Sequence, residues 1–207
     1  MDSIKPDFVS KTHFFLFYQD NFKILNDQKT LIGAEKEYFN EYSEIVIEDI
    51  TNTDPEYVPV KFPTNNSKIF TILIDEERKC LFIGNENEVV IEYSLDTQGY
   101  SINFIKKYED LGIGSVHSSL KFGNIAVFGG DCGTIAFIDI ENKQHLGNIS
   151  DLAVGRIFSI QLCKVQNGEF DTKLLLTLTG DEYDYSGSKT DVLDITEFIK
   201  SGQENQQ

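Results

Sequence analysis

The chain repeats a segment of strand-forming residues with a period near forty-five residues, and this repeat limits its possible folds more than any other feature. The segment LFIGNENEVVIEYSL (residues 81–95) aligns with AVFGGDCGTIAFIDI (residues 126–140), so that Gly84 falls on Gly129. A third copy places Gly180 directly after its own apolar run. The chain therefore builds one kind of structural unit at least three times.

Each copy consists of short runs that favour β-strands. The runs are rich in β-branched and aromatic residues and are separated by turn-forming clusters; in the first copy they are KIFTILI, KCLFIG, EVVIEYSL and YSINFIKKY. In the last of these, Ile102 and Phe104 alternate with polar residues, which puts apolar side chains on one face. A unit of about four strands with this period is typical of a β-propeller blade. The sequence predicts three such blades, at residues 68–112, 113–155 and 156–200.

The second copy resembles the WD40-type repeat. In FGGDCGTIAFIDI, Gly129 and Gly130 stand where that family has Gly-Ser, and the turn falls on residues 131–134. Ile138 and Asp139 replace the family's Trp-Asp pair. The resemblance covers about two-thirds of the chain. It implies an all-β fold of WD40-like β-propeller blades, each a four-stranded antiparallel sheet, arranged as a partial or incomplete propeller.

Two departures from the family pattern generate expectations of their own. The chain has no Trp, and His117 does not stand in the family's Gly-His motif, so we expect the polar network that joins those groups to be missing. The alternation of Val89 and Ile91 is one residue out of phase with that of Ile135 and Phe137. Because a slip of one residue exchanges the two faces of a strand, this predicts either a bulge or a different alignment.

The conspicuous GGDCGT stretch is predicted to be a structural turn. It lacks the lysine of a phosphate-binding loop, and a strand follows it where such a loop opens a helix. Cys132 has no basic neighbour in sequence to activate its thiol. Gly129 and Gly130 are predicted to let the backbone pass a crowded point, and Asp131 and Gly133 to supply turn geometry that most residues resist. Across the three copies we assign a structural turn role to Gly84, Gly129, Gly130, Asp131, Gly133 and Gly180.

The ends of the chain do not show the repeat. Residues 1–67 are predicted to be an N-terminal cap or a degenerate blade; within them EIVIEDI and THFFLFY favour strands, and residues 31–44 favour a short helix. Residues 54–66 hold three of the four prolines and are predicted to be an extended connection. Residues 201–207 are predicted to be a disordered tail.

Composition restricts the classes of partner. The formal net charge of −16 argues against a sequence-independent nucleic-acid binder and against an anionic-membrane binder, because both need a cationic surface. Three isolated cysteines indicate neither a disulfide framework nor a zinc site. With no secretory or membrane-spanning segment in the sequence, we expect a cytoplasmic location.

Two insertions enlarge the third copy. KVQNGEFDTK is predicted to be a long hairpin with its turn at Asn167-Gly168. GDEYDYSGSKTD is predicted to be an exposed acidic loop; Tyr183 and Tyr185 would suit a partner contact, since Tyr is enriched at binding hot spots. Its weak candidates for a metal site, whose spacing departs from that of a calcium loop, are Asp181, Glu182 and Asp184.

Two functional hypotheses follow. The first is a non-catalytic protein-interaction scaffold or assembly subunit that uses blade rims and inserted loops and binds no cofactor. Because open blade faces and edges invite pairing, a protein partner is expected to complete its propeller. The alternative is an enzyme or small-molecule sensor with a site in the axial channel. Packing of Ile125, Val127 and Phe128 against neighbouring blades would favour the scaffold. Convergence of several acidic side chains on one cavity would favour the enzyme, and the candidates are Asp75, Asp131, Asp181 and Glu182.

Overall fold

The computed structural model describes residues 22–36, 43–54, 56–64, 67–98, 100–167, 171–181 and 188–195. Every regular element within these ranges is a β-strand, which confirms the predicted all-β fold class. The part of the chain that the structure describes contains no helix of the length and hydropathy needed to span a membrane.

The strands form four antiparallel sheets that follow one another along the chain. Sheet 1 contains β1 (Phe22–Ile24), β2 (Thr30–Lys36), β3 (Ser43–Asp49) and β4 (Val60–Pro63). Sheet 2 contains β5 (Ile69–Asp75), β6 (Cys80–Asn85), β7 (Val90–Asp96) and β8 (Ser101–Tyr108). Sheet 3 contains β9 (Val116–Phe122), β10 (Ile125–Gly130), β11 (Ile135–Asp139) and β12 (Gln144–Ile149). Sheet 4 contains β13 (Ile157–Asn167), β14 (Asp171–Asp181) and β15 (Ser188–Asp194).

Sheet 1 lies within residues 1–67, which the sequence predicted to be either an N-terminal cap or a degenerate blade. The helix expected over residues 31–44 is wrong in its described parts, which belong to β2 and β3. Ile32 pairs with Ile47 and Ala34 with Ile45, and this period of two buries all four side chains on one face. The THFFLFY segment lies outside the described residues, and the division of the chain into domains stays a prediction.

Each sheet packs face to face against the next, and an apolar cluster fills each of the three spaces between them. Ile45 and Ile72 meet between sheets 1 and 2. Between sheets 2 and 3 the rings of Phe82 and Phe128 lie 6.2 Å apart. Because sheets 2 and 3 are covered on both faces, strands such as β6 are buried at every position and read as continuous apolar runs.

Burial on both faces also explains the apparent phase difference between the first two repeats. The pairing of β6 with β7 continues without a shift, so the alignment of Gly84 with Gly129 holds. Ile91 belongs to the cluster between sheets 1 and 2, whereas Val90 belongs to the cluster between sheets 2 and 3. Of the two expectations, the bulge is found: the pairing of β7 with β8 shifts between Glu92 and Tyr93. A different alignment is not needed, because the two repeats have their larger apolar residues on opposite faces.

The repeated glycine stands where the first strand of the next sheet approaches most closely. A Cβ atom at Gly84 would lie 2.5 Å from Val116 Cγ1, in sheet 3, and 2.7 Å from Thr71 Cγ2. At Gly129 it would lie 2.6 Å from Ser118 Oγ and 2.9 Å from Cγ2 of a residue in sheet 4, Ile157. The same position therefore sets the distance between sheets twice along the chain.

We expect Gly84→Ala and Gly129→Ala each to lower the free energy of unfolding by about 1–3 kcal/mol, the usual cost of an extra methyl in a packed interior. Val116, Thr71 and Ile157 are β-branched and cannot rotate away easily. Urea unfolding followed by circular dichroism measures the loss. Asn103→Ala, on the exposed side of β8, is the control and should change stability by less than about 0.5 kcal/mol. Equal stability of all three variants would contradict the steric role of these glycines.

Candidate interaction surface

The repeat brings equivalent parts of each sheet to the same end of the array. One end, here called the turn end, carries the second hairpin of each sheet and the connection that leads into its first strand. Of the predicted turn residues, Asp131 and Gly133 lie in the hairpin that follows β10. The other four lie within strands, near their ends at the turn end: Gly84 in β6, Gly129 and Gly130 in β10, and Gly180 in β14. The first hairpin of each sheet turns at the opposite end, close to Asp75.

The GGDCGT turn is held against the connections that flank it. A Cβ atom at Gly130 would lie 1.9 Å from the carbonyl oxygen of Ile113, and one at Gly133 would lie 1.8 Å from that of Ala153. Gly133 also has φ +63°, a conformation that side chains rarely adopt. The Asp131 amide donates a 3.1 Å hydrogen bond to the Ser115 carbonyl. The backbone of the turn therefore packs directly against both flanking connections.

A bulge recurs in the first strand of sheets 2, 3 and 4. One residue is left out of the pairing at Phe70 in β5, at His117 in β9 and at Phe158 in β13. Bulges re-aim side chains, and here each one carries an aromatic ring. The rings of Phe70 and His117 stack with centroids 4.6 Å apart, and the guanidinium of Arg156 lies 5.5 Å from the Phe158 ring centre. The sequence signal was an aromatic residue at the same place in KIF, SVH and RIF.

His117 corrects one expectation taken from the resemblance. Its Nε2 lies 2.6 Å from Asp131 Oδ1, so a polar link between the first strand and the turn is present. The bulge at His117 is the physical reason, because it turns the ring out of the pleat towards the turn.

At the opposite end a buried carboxylate joins sheet 2 to sheet 3. Asp75 is almost fully buried; its Oδ1 lies 3.0 Å from Lys121 Nζ in sheet 3 and its Oδ2 lies 2.9 Å from Arg78 Nη1. Burial by itself raises the pKa of Asp75, but hydrogen bonds from Lys121 and Arg78 outweigh it and hold the pKa below its usual value. Asp75 therefore links sheets and does not face Asp131, which lies at the turn end.

This link predicts a pH dependence of stability. Because the pKa of Asp75 is lower when folded than when unfolded, its stabilising effect is present at neutral pH and is lost as the pH falls through the folded pKa. We expect Asp75→Asn to cost about 1–3 kcal/mol at pH 7 and to flatten the loss of stability on acidification, as measured by urea unfolding between pH 7 and pH 3. Lys121→Met is the matched variant, since it leaves Arg78 in place, and it should cost less. Parallel pH profiles for Asp75→Asn and the unaltered chain would contradict the link.

The interior of the array is occupied by packing. Val127 belongs to the cluster between sheets 3 and 4, Phe128 to the cluster between sheets 2 and 3, and Ile125 packs against the former. Of the four acidic residues proposed to converge, Asp75 and Asp131 lie at opposite ends of the sheets. Glu182 lies outside the described residues, as does the side chain of Asp181.

The remaining predicted contact and metal residues are not described by the structure. Tyr183, Asp184 and Tyr185 lie in the gap between β14 and β15, and their roles stay predictions. Within the described ranges, no three His, Cys, Asp or Glu side chains lie close enough together to hold a metal ion. The predicted long hairpin is confirmed: β13 and β14 pair as far as Asn167 and Asp171.

No disulfide joins the three cysteines. Burial raises the pKa of Cys80 to about 12, so it stays protonated and behaves as a small apolar residue of the core. Cys132 and Cys163 are exposed.

At the rim, the outer parts of sheets 1 and 2 carry apolar side chains on the faces that the two sheets turn towards each other. Val60 and Phe62 of β4 form one wall, and Tyr93 and Phe104 lie on the other. Phe104 is 64% exposed and meets Tyr93 edge to face, with ring centres 6.3 Å apart. This set of residues is called the rim groove below. Nothing in the repeat alignment pointed to it.

Comparison of the sequence with known proteins finds no matching family model and no matching curated protein. Comparison of the structure does find similar folds. The WD40 domain of Toxoplasma gondii coronin matches with a TM-score of 0.55 at 14% identity, over 78% of this chain and 43% of that one. Saccharomyces cerevisiae Sqt1 matches with a TM-score of 0.53 at 12% identity, over 80% of this chain and 41% of that one.

A computationally designed protein, Ika4, matches over a larger share of its own length. The TM-score is 0.54 at 13% identity, and the match covers 87% of this chain and 94% of the designed one. By contrast, the chain spans less than half the length of the coronin WD40 domain and of Sqt1. From its four consecutive antiparallel sheets and these structural neighbours, the chain has the WD40-like β-propeller fold.

Proposed function

We propose that this chain is a non-catalytic protein-interaction module that serves as a scaffold or assembly subunit. One observation carries the proposal: inner-strand side chains are used up in packing between sheets, whereas the exposed large apolar side chains lie at the rim, at the turn end and on the two terminal sheets. WD40-type propellers typically mediate protein interactions, which agrees with this distribution. No cofactor is needed for the role.

The terminal sheets support a partner that completes the propeller. In β1, Lys23 pairs with Ile32 of the cluster between sheets 1 and 2, so Phe22 and Ile24 lie on the outward face, where Ile24 is 52% exposed. In β15, Leu193 packs inward while Val192 is 63% exposed on the outward face. A sheet supplied by another protein would cover these side chains as each sheet covers the next within the array.

The alternative of an axial-channel enzyme or sensor receives less support. It needed polar groups that converge on one cavity, whereas Asp75 is bound to Lys121 and Arg78 at one end and Asp131 to His117 at the other. Val127 and Phe128 pack against neighbouring sheets, which is the outcome that favours the scaffold.

The proposal predicts that the outward faces hold the chain in a complex. We expect the tagged chain, isolated from its own cells, to elute with a molar mass well above the 23.5 kDa of one chain, as measured by size exclusion with light scattering. Ile24→Glu and Val192→Glu should each weaken the complex about tenfold or more, because a charge is buried without a partner, while leaving the melting temperature of the isolated chain unchanged.

Val154→Glu supplies the control for the two outward faces, since Val154 is 43% exposed and lies at the turn end, on neither of them. A stable, free monomer in the cells would overturn the partner-completed propeller. A complex that is equally stable with all three variants would place the partner elsewhere.

A further inference from the structure

Both walls of the rim groove belong to the faces that sheets 1 and 2 turn towards each other. On sheet 1, Val60 pairs with Ile47 and Phe62 with Ile45, and both isoleucines belong to the cluster between the two sheets. Residues paired across neighbouring strands share a face, so Val60 and Phe62 face the groove.

The second wall is built in the same way. Tyr93 pairs with Leu81 of the same cluster and also with Phe104, which therefore faces the groove as well. Ile102 pairs with Leu95 and lies on the same face, two residues from Phe104. The two walls thus present apolar side chains at alternate positions along edge strands.

The groove is closed by the core and open at the rim. Phe62, Ile102 and Tyr93 are partly buried against the cluster, whereas Phe104 is 64% and Val60 37% exposed. Both β4 and β8 end the strand order of their sheets, so no described strand covers their outer edges. Edge strands next to exposed apolar side chains accept an added peptide strand through backbone hydrogen bonds, with pockets for alternate side chains.

One end of the groove is acidic. Asp27 stands in the turn between β1 and β2, and Asp49 ends β3, at the same end of the sheets at which Tyr100 leads into β8. Burial first, and then the negative field of Asp49 and Asp27, raises the pKa of Tyr100. Asp54, Glu56 and Asp96 are exposed in the segments next to β3, β4 and β7 at the same end. Lys29 interacts with the Asp27 and Asp49 carboxylates and offsets part of this charge.

At the other end of the groove the charges are balanced. Lys107, near the end of β8, forms an ion pair with Glu109. A ligand that lies along the groove therefore meets apolar walls, a neutral end and a negative end.

From these features we propose that the rim groove binds an extended peptide segment of a partner protein, with two apolar side chains at alternating positions followed by Lys or Arg. The inference rests on the proposed interaction function and specifies one contact surface for it. The eight residues of β8 span about 26 Å, so a segment of up to about eight extended residues fits alongside it. The apolar side chains pack between Val60 and Phe104, and the basic residues meet the acidic end.

A second copy of this chain fits the groove poorly. The chain carries a net charge of −16, so two copies repel each other, and the acidic end of the groove needs a basic segment. The charge complementarity therefore selects a basic segment of another protein.

The test uses a phage-displayed library of random twelve-residue peptides selected on the whole chain. We expect the selected peptides to share two apolar residues at alternating positions with Lys or Arg on one side. A selected peptide, synthesised with a fluorophore, should lose about tenfold or more in affinity for Phe104→Ser and for Val60→Ser, measured by fluorescence anisotropy. Phe158→Ser and Val154→Ser are the controls, because their side chains are 39% and 43% exposed and lie away from the groove, and both should bind like the unaltered chain.

The charge arm of the test is independent of the apolar one. The double variant Asp54→Asn with Glu56→Gln should weaken the peptide several-fold and reduce the dependence of affinity on salt, since exposed charges act through a screened field. Melting temperatures of all variants, measured alongside, exclude unfolding as the cause of a loss.

Selected peptides without basic residues, or equal losses for the groove variants and their controls, would overturn the inference. The two proposals fail separately. If a complex forms in cells while Phe104→Ser and Val60→Ser leave it intact, the groove inference is wrong and the interaction module stands. If no complex forms in cells, the proposed function is wrong.

Discussion

The contact between consecutive sheets at the repeated glycine is the constraint on which the rest of this structure depends. Gly84 and Gly129 each allow the first strand of the next sheet to approach within van der Waals contact of the strand that ends there. That approach fixes the spacing of the sheets, and the spacing decides which side chains reach the cluster between them. Phe82 and Phe128 fill the space that remains once the backbones are placed.

Polar side chains then fix how neighbouring sheets sit relative to each other, since apolar contact alone is non-directional. Ser118 donates a 2.7 Å hydrogen bond to the Ile157 carbonyl, which joins sheet 3 to sheet 4 beside the repeated glycine. Asp75 reaches Lys121 at the opposite end and joins sheet 2 to sheet 3. The buried Glu92 accepts from the Tyr108 hydroxyl and also meets Lys143 of sheet 3. Buried charges need a partner and buried acceptors need a hydrogen bond, and these links supply both.

Sequence reasoning predicted the parts of the fold that local signals encode. The strands of sheet 2 lie within one or two residues of the predicted runs, because β-branched and aromatic residues fill them and polar turn-forming clusters separate them. Sheet 1 was harder to predict because it lacks the repeated glycine. Strands β6 and β10 end at or beside that glycine, whereas β2 ends at Lys36, so the repeat could not be aligned there. The aromatic bulges left a signal in the repeat, but only the pairing of strands shows that a residue stands outside the ladder.

The rim groove could not be predicted, for a different physical reason. Phe104 lies on the apolar face of β8 that the alternation predicted, yet it is exposed on this outer strand. Val60 and Phe62 stand in a Pro-rich stretch whose propensities favour a connection over a strand. Exposure of an apolar residue on an outer strand depends on the distance between two sheets, which is a property of the packed array and not of either segment.

The same dependence explains why recognition in this chain falls to its margins. Inner strands cannot vary without disturbing two clusters at once, since the residues of β6 and β11 are buried throughout. An outer strand pairs with a neighbouring strand along one edge only, and a terminal sheet packs against another sheet on one face only. Side chains on the free edge or face can therefore change at little cost to stability. In an array of stacked sheets the side chains available to a partner are therefore those that the stacking leaves uncovered: Phe104 and Val60 at the rim, and Ile24 and Val192 on the outward faces.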